Sequence, residues 1–206
     1  MSIVKLSNNG VKNATAFGSI SALGEMRFIK KLTASSSATI SFVDGSSSVV
    51  LDNTYKEYLF TFNNIHPATD TANFTFNVSI DSGSNYNVAK TTTQFRAVHD
   101  EADSATSLAY ETDGDLAQGT GVQILQTNLG ADNDQSASGY LHLFNPSSTT
   151  FVKHFIFTGN RSHAGNYTGN EYVAGYANTT SAVDAIQFSM SSGNIDAGDI
   201  CLYGIN

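Results

Sequence analysis

The side chains best suited to acid–base or metal chemistry are five histidines, two of which are close in sequence. His142 and His154 each alternate with apolar neighbours, so each is expected on the polar face of a strand. The short connection at 145–150 would place these two strands side by side, which would let the two rings approach each other. Because a metal site needs more ligands than two, we interpret them as polar-face histidines on a hairpin and predict no metal-binding residues.

Three acidic segments carry oxygen ligands of the kind that calcium prefers. They are residues 99–103, 113–115 and 132–134. Calcium takes several oxygen ligands from one loop, but none of these segments has EF-hand spacing or its closing bidentate glutamate. We interpret them as solvated loops, with a structural calcium ion as the alternative.

No catalytic motif is recognisable in the sequence. Serines are abundant, but the G-x-S-x-G pattern of a nucleophile elbow is missing. The segment Gly119-Thr120-Gly121 is too short for a phosphate-binding loop and lacks its lysine. A glycosidase needs two carboxylates that face each other across a cleft, and nothing in the sequence pairs them. We therefore predict a non-enzymatic protein with no catalytic and no cofactor-binding residues.

Five tyrosines could stack on sugar rings, although the chain has no tryptophan. They are Tyr86, Tyr140, Tyr167, Tyr172 and Tyr176. The other interpretation is that they cover strand edges and loops. A carbohydrate-binding module therefore stays open as an alternative function.

Charge and composition exclude several classes of partner. The formal net charge is −8, and an acidic chain does not neutralise phosphates, so we expect no nucleic-acid binding. The sequence lacks the polybasic signal of membrane-surface proteins and an apolar span of about 20 residues, so we expect no membrane insertion. It also lacks a signal peptide, which predicts synthesis in a cytoplasm. The single cysteine, Cys201, allows no intramolecular disulfide and is predicted to be a small buried residue.

The elements that must position these residues are strands, as the segment 72–80 shows most clearly. Apolar Phe74, Phe76, Val78 and Ile80 alternate with amide and hydroxyl side chains. This period of two predicts a strand with one buried face and one polar face. We expect the polar face to meet water, a second subunit or a receptor.

Similar runs recur along the chain, separated by turn-forming pairs such as Asp-Gly, Ser-Gly and Asn-Pro. The runs are 26–32, 38–42, 49–51, 55–63, 72–80, 92–99, 108–111, 122–125, 139–144, 151–157, 171–176, 186–190 and 200–205. Helical patterns are limited to single turns within 12–24 and 99–107. About ten short strands with regular turns predict an all-β, antiparallel sandwich or barrel, of which we favour a jelly-roll-like sandwich.

The predicted domain organisation is simple. Residues 1–25 are expected to form an N-terminal arm or edge strand, and residues 26–206 a single β-sandwich domain. The predicted core consists of Phe60, Phe62, Phe74, Phe76, Val78, Ile186, Phe188 and Leu202.

Two stretches carry a resemblance to a known group of proteins. The first contains Tyr58, Phe60, Phe62, Ile65 and Pro67, followed by Asp81, Gly83 and Tyr86; the second contains residues 192–195, Gly198, Ile200 and residues 202–204. These motifs resemble virion structural proteins, tail-, fibre- or capsid-associated, of marine tailed bacteriophages. The likeness covers most of residues 26–206.

The resemblance implies a structural role on a virus particle. The expected localisation is the virion, and the expected function is that of a surface appendage component of the tail or neck fibre type. By analogy with phage fibres, the protein is expected to form a homotrimer, to contact other virion proteins and to meet a host-surface glycan. The alternative within the same fold is a capsid decoration (cement) protein.

Overall fold

A computed structural model describes residues 26–206, which form twelve β-strands and contain no helix. All strand pairs are antiparallel. The strands are β1 Met26–Thr33, β2 Thr39–Val43, β3 Glu57–Pro67, β4 Ala72–Ser79, β5 Lys90–Asp100, β6 Thr106–Tyr110, β7 Gln123–Leu129, β8 Ala137–Phe144, β9 Lys153–His163, β10 Tyr167–Ala177, β11 Ala185–Met190 and β12 Ile195–Ile205.

Eight of these strands follow the strand order of a jelly roll. Hydrogen bonds join all twelve strands into one continuous sheet that folds over into two layers. One layer, the first sheet, contains the order β1-β12-β3-β8, and the layer packed against it, the facing sheet, contains the order β2-β11-β4-β7. If the other four strands are left out and these eight are renumbered 1 to 8 along the chain, the two orders become 1-8-3-6 and 2-7-4-5. These are the strand orders of a jelly roll, which is built from two Greek keys. The predicted all-β, antiparallel, jelly-roll-like sandwich is therefore confirmed.

The remaining four strands extend one of the two sheets. The β5–β6 hairpin is inserted between β4 and β7, and the β9–β10 hairpin between β8 and β11. They continue the first sheet in the order β8-β9-β10-β5-β6. A single residue pair, Leu129 with His163, links this extension to β7 of the facing sheet. We call β9, β10, β5 and β6 the added sheet.

The core between the sheets is aromatic. All eight predicted core residues are at most 2% exposed, which confirms their assignment. Phe188 packs edge-to-face on Phe62 at 5.1 Å between ring centroids and stacks on Phe74 at 5.9 Å. Burying each such ring contributes about 1.5–3 kcal/mol of stability. Cys201 is buried, as predicted.

Four local predictions are wrong. Ile80, expected on the buried face with Phe74, lies beyond the end of β4 and is 42% exposed. Residues 49–51 form no strand; this segment is held as a loop, in which the Leu51 N–H donates to the Asp44 carboxylate at 2.8 Å. Residues 99–107 contain no helical turn but the tight turn between β5 and β6. The alternation in 26–32 predicts Met26, Phe28 and Leu32 on one face, whereas in β1 a register shift after Phe28 places Leu32 opposite the buried Ile200, on the other face from Phe28. The predicted arm at 1–25 and the segment 12–24 lie outside the described residues.

The polar face of β4 is also not where the sequence suggested. Thr75, Asn77 and Ser79 are at most 3% exposed. The Asn77 amide donates to the carbonyl oxygens of Tyr86 at 2.6 Å and Thr120 at 3.1 Å. This face therefore binds the backbone of the two loops that follow β4 and β6, and the expectation that it meets water or a partner is wrong.

Candidate functional site

The outer face of five neighbouring strands carries no formal charge. Strand alternation directs the following residues outward: Ser138, Tyr140, His142 and Phe144 on β8; His154, Ile156, Thr158, Asn160 and Ser162 on β9; Thr168, Asn170, Tyr172, Ala174 and Tyr176 on β10; Thr91, Thr93, Phe95, Ala97 and His99 on β5; Thr106, Leu108 and Tyr110 on β6. None of these residues is Asp, Glu, Lys or Arg. We call this surface the neutral face.

The neutral face exposes large apolar side chains. The strand registers align Tyr140, Thr158, Tyr172, Phe95 and Tyr110 in one row across the five strands. Five large hydrophobic residues of this face are between 42% and 73% exposed: Phe95, Leu108, Tyr110, Tyr140 and Ile156. In a chain with a net charge of −8, such a contiguous uncharged and aromatic surface indicates a binding surface.

A groove runs along β10 in the middle of this face. Its widest part has a volume of about 450 Å³ between Thr91 and Thr93 on one side and His154 and Ile156 on the other. A second depression of about 170 Å³ continues it toward Phe95. The groove exists because the β10 residue between Tyr172 and Tyr176 on this face is the small Ala174.

The strand beneath the groove also packs closely on β5 at the inward-facing position Gly175. A Cβ on Gly175 would lie 2.5 Å from the carbonyl oxygen of Thr91. The aromatic side chains around the floor are held in place by their neighbours. Phe95 stacks on Tyr172 at 4.7 Å between centroids, and the Asn170 amide donates to the Tyr172 hydroxyl at 2.7 Å. Tyr176 packs edge-to-face on His154 at 6.1 Å.

On the inner side of the added sheet, next to the Tyr172 end of the groove, an ion pair is buried against β7. The Arg161 Nη2 lies 3.3 Å from the Glu171 Oε1, and both side chains are fully buried. The Thr127 hydroxyl of β7 donates to Glu171 at 2.7 Å and accepts from Arg161 at 2.8 Å. The Gln94 amide donates to the other Glu171 oxygen at 2.8 Å. These bonds attach the added sheet to the jelly roll and so hold the groove on a rigid support.

His163 lies at the end of β9, next to the buried ion pair. Its ring stacks on Tyr167 at 3.8 Å between centroids. Burial, together with the positive charges of Arg161 and Arg96, lowers the pKa of His163 to about 4. The neutral ring accepts a hydrogen bond from the Gly165 N–H at its Nδ1, at 2.7 Å. Its role is therefore to hold the β9–β10 turn.

Two buried lysines hold the other end of the added sheet. Lys90 and Lys153 lie on either side of Ala177 in the ladder. The Lys90 ammonium donates to the Asn77 Oδ1 and to the Val88 carbonyl, and burial lowers its pKa to about 8. Lys153 donates to two backbone carbonyls, and burial lowers its pKa as well. Both lysines attach loop backbone to the sheet.

The structure does not bring the two candidate histidines together. His142 and His154 share the neutral face, but His142 lies opposite Ile156 and its Nδ1 contacts the Glu57 carboxylate. His154 packs on Tyr176 instead. Within residues 26–206, no group of three or more His, Cys, Asp or Glu side chains is arranged to hold a metal ion.

The acidic segment at 99–103 acts as turn structure. The Asp100 carboxylate accepts from the backbone N–H groups of Ser104 at 2.8 Å and Ala105 at 2.9 Å. The hydrogen bond from the Ser104 hydroxyl, together with these two backbone hydrogen bonds, lowers the pKa of Asp100. Asp115, in the second acidic segment, accepts from the Tyr110 hydroxyl at 2.6 Å.

Three of the five tyrosines considered for sugar stacking lie on the neutral face, namely Tyr140, Tyr172 and Tyr176. Tyr86 lies in the loop over β4, and Tyr167 stacks on His163. The sequence interpretation did not single out Phe95, Thr93 or Ile156. Alternation within each strand predicts which face each of these residues occupies. It does not predict that Phe95 pairs with Tyr172, because β5 and β10 are distant in sequence.

The described part of the chain contains no helix long and apolar enough to cross a membrane. Comparison of the sequence with protein-family models, with curated proteins and with solved structures found no match.

Proposed function

We propose that the protein is a non-enzymatic structural component of a tailed-bacteriophage virion, in a surface appendage of the tail or neck, where it binds through its neutral face. The observation that carries this proposal is the neutral face itself. Five adjacent strands present exposed aromatic and aliphatic side chains without one formal charge. A surface of this kind favours an interaction role.

The virion assignment is supported by the fold and by the resemblance. Jelly rolls recur in viral capsid proteins and in lectins. Tyr58, Phe60, Phe62 and Ile65, which carry part of the resemblance, are core residues here. The resemblance therefore concerns the scaffold, and the neutral face is the surface that this scaffold presents.

Trimerisation would suit such a surface. Three copies on one axis present three neutral faces, so that weak individual contacts combine into a much stronger attachment. We propose a homotrimer that contacts other virion proteins outside the groove.

Two measurements test this proposal. Light scattering of the purified protein is expected to give three times the chain mass of 21.9 kDa. Immunogold labelling of purified particles of the phage that encodes the chain is expected to mark the tail or neck. Labelling spread over the capsid would replace the appendage with a decoration protein, and particles that lack the protein would refute a virion role altogether.

A further inference from the structure

We propose that the groove along β10 is a binding site for an uncharged carbohydrate chain. This inference rests on the proposed function and deepens it, because it names the class of partner that the neutral face binds. Four features of the groove support it: its backbone, its side chains, its charge and its size.

The backbone of the groove is not available for a peptide strand. β10 pairs with both β9 and β5 through all 11 of its residues. Strand addition needs a free sheet edge, whereas the floor of this groove is the middle of the sheet. A ligand here must therefore be bound by side chains alone.

The side chains combine apolar surface with hydroxyl groups. Thr91, Thr93 and Thr158 border the groove, and rings of Tyr176 and His154 stand at its wide end. Sugar rings offer apolar C–H faces to aromatic rings and hydroxyl groups to polar side chains. The groove surface itself is mainly apolar and its hydroxyl groups stand at the border, so a sugar ring would lie with its C–H face on the groove and its hydroxyl groups toward that border.

The charge distribution disfavours anionic ligands. Phosphates, nucleic acids and acidic polysaccharides are bound by Arg and Lys. The exposed cations Arg27, Lys31 and Lys56 lie on β1 and just before β3, outside the neutral face. The groove itself has none, so it selects for an uncharged chain.

The dimensions suit several sugar units rather than one. Tyr172 and Tyr176 are four residues apart on one strand, which corresponds to about 14 Å. The two connected depressions have volumes of about 450 Å³ and 170 Å³, within the usual range of ligand sites. An oligosaccharide can lie along Ala174 between the two tyrosines.

Affinity electrophoresis tests the proposal on the full chain. Native gels would contain dextran, laminarin, yeast mannan or galactan as uncharged probes, and alginate or polygalacturonate as acidic probes. We expect at least one uncharged polysaccharide to retard the protein. Ala174→Phe, which fills the groove, and Tyr176→Ala, which removes one wall, should each weaken that retardation at least about tenfold.

The matched control is Phe28→Ala, which removes an exposed ring from the outer face of the same sheet but outside the neutral face. It should retain full retardation, and thermal unfolding should show that all three variants are folded.

Three results would overturn the proposal: retardation by the acidic probes only, retardation by none of the probes, or equal retardation of wild type and Ala174→Phe. A changed solution mass of Ala174→Phe would also overturn it, because the occupant would then be a second copy of the chain. Immunogold labelling of particles is independent of all these results, so failure of the glycan site leaves the virion role testable.

Discussion

At the scale of single residues, the most informative side chains are the charged ones that the added sheet buries. Arg161 and Glu171 are fully buried and bonded to each other, whereas Lys90 and Lys153 are buried among neutral oxygens. Room for Arg161 depends on Gly169, where a Cβ would lie 2.8 Å from the Arg161 Nη1. The added sheet is therefore held by polar bonds as well as by apolar packing.

The buried ion pair gives a first prediction. Glu171→Gln should reduce the free energy of unfolding by about 3–5 kcal/mol, because it leaves the Arg161 charge buried without its counter-ion. Urea denaturation measures this loss. Asp199→Asn is the control, since it breaks the exposed Lys31–Asp199 pair of 3.1 Å and should cost less than about 1 kcal/mol. Equal losses in the two variants would contradict this account.

Lys90 gives a second prediction, which concerns pH. Its pKa falls from the ordinary 10.5 to about 8 in the folded protein, so between these values the unfolded chain binds more protons than the folded one. The contribution of Lys90 to the free energy of unfolding therefore rises as pH increases from 8 toward 10.5. Urea denaturation at pH 8 and pH 10 should show a smaller increase for Lys90→Met than for wild type. If the free energy of unfolding increased equally for the two proteins between pH 8 and pH 10, the lowered pKa of Lys90 would be contradicted.

At the scale of elements, β4 shows how a strand can be polar on one face and buried on both. Its inner face packs into the core, and its polar face binds the loops after β4 and β6 through the side chains of Asn77 and Ser79. Such bonds fix long loops without a second layer of apolar side chains.

Loss of one of these side chains should loosen loops and leave the core intact. In Asn77→Ala we expect faster amide hydrogen exchange around Tyr86 and Thr120, because the two carbonyls lose their donor and the buried Lys90 ammonium loses one of its two acceptors. Protection of Phe74 and Phe188 should be unchanged. Asn63→Ala, at an exposed position of β3, is the control, and the same exchange pattern in both variants would refute the role of Asn77.

Sequence periodicity predicted strands and core well but predicted surfaces poorly. Alternation identifies Phe74 and Phe76 as inward-facing because the period of two is a local property. It does not reveal that non-periodic loops cover the opposite face of β4. Arg161 and Glu171 were overlooked, although they are in phase with the buried Phe157 and Val173. Predicting the groove would have required the register between β5 and β10. This register is a non-local property, which one sequence does not determine.

At the scale of the whole molecule, stability is expected to be independent of metal ions. The Asp100 carboxylate closes its turn with backbone N–H groups, so it needs no bound cation. The melting temperature should be the same with and without EDTA. A large fall with EDTA would show that one of the acidic segments holds a structural ion, and calcium titration would then identify it.

The pairing of β1 with β12 determines how the molecule responds to mechanical load. Met26 pairs with Ile205, so β1 begins and β12 ends at the same corner of the sheet. A force that pulls residue 26 and residue 205 apart would open this ladder one residue pair at a time. A force between that corner and a ligand held on β10 would instead be shared by the whole width of the sheet. The sheet is therefore expected to resist a load between the groove and this corner better than a load that separates β1 from β12.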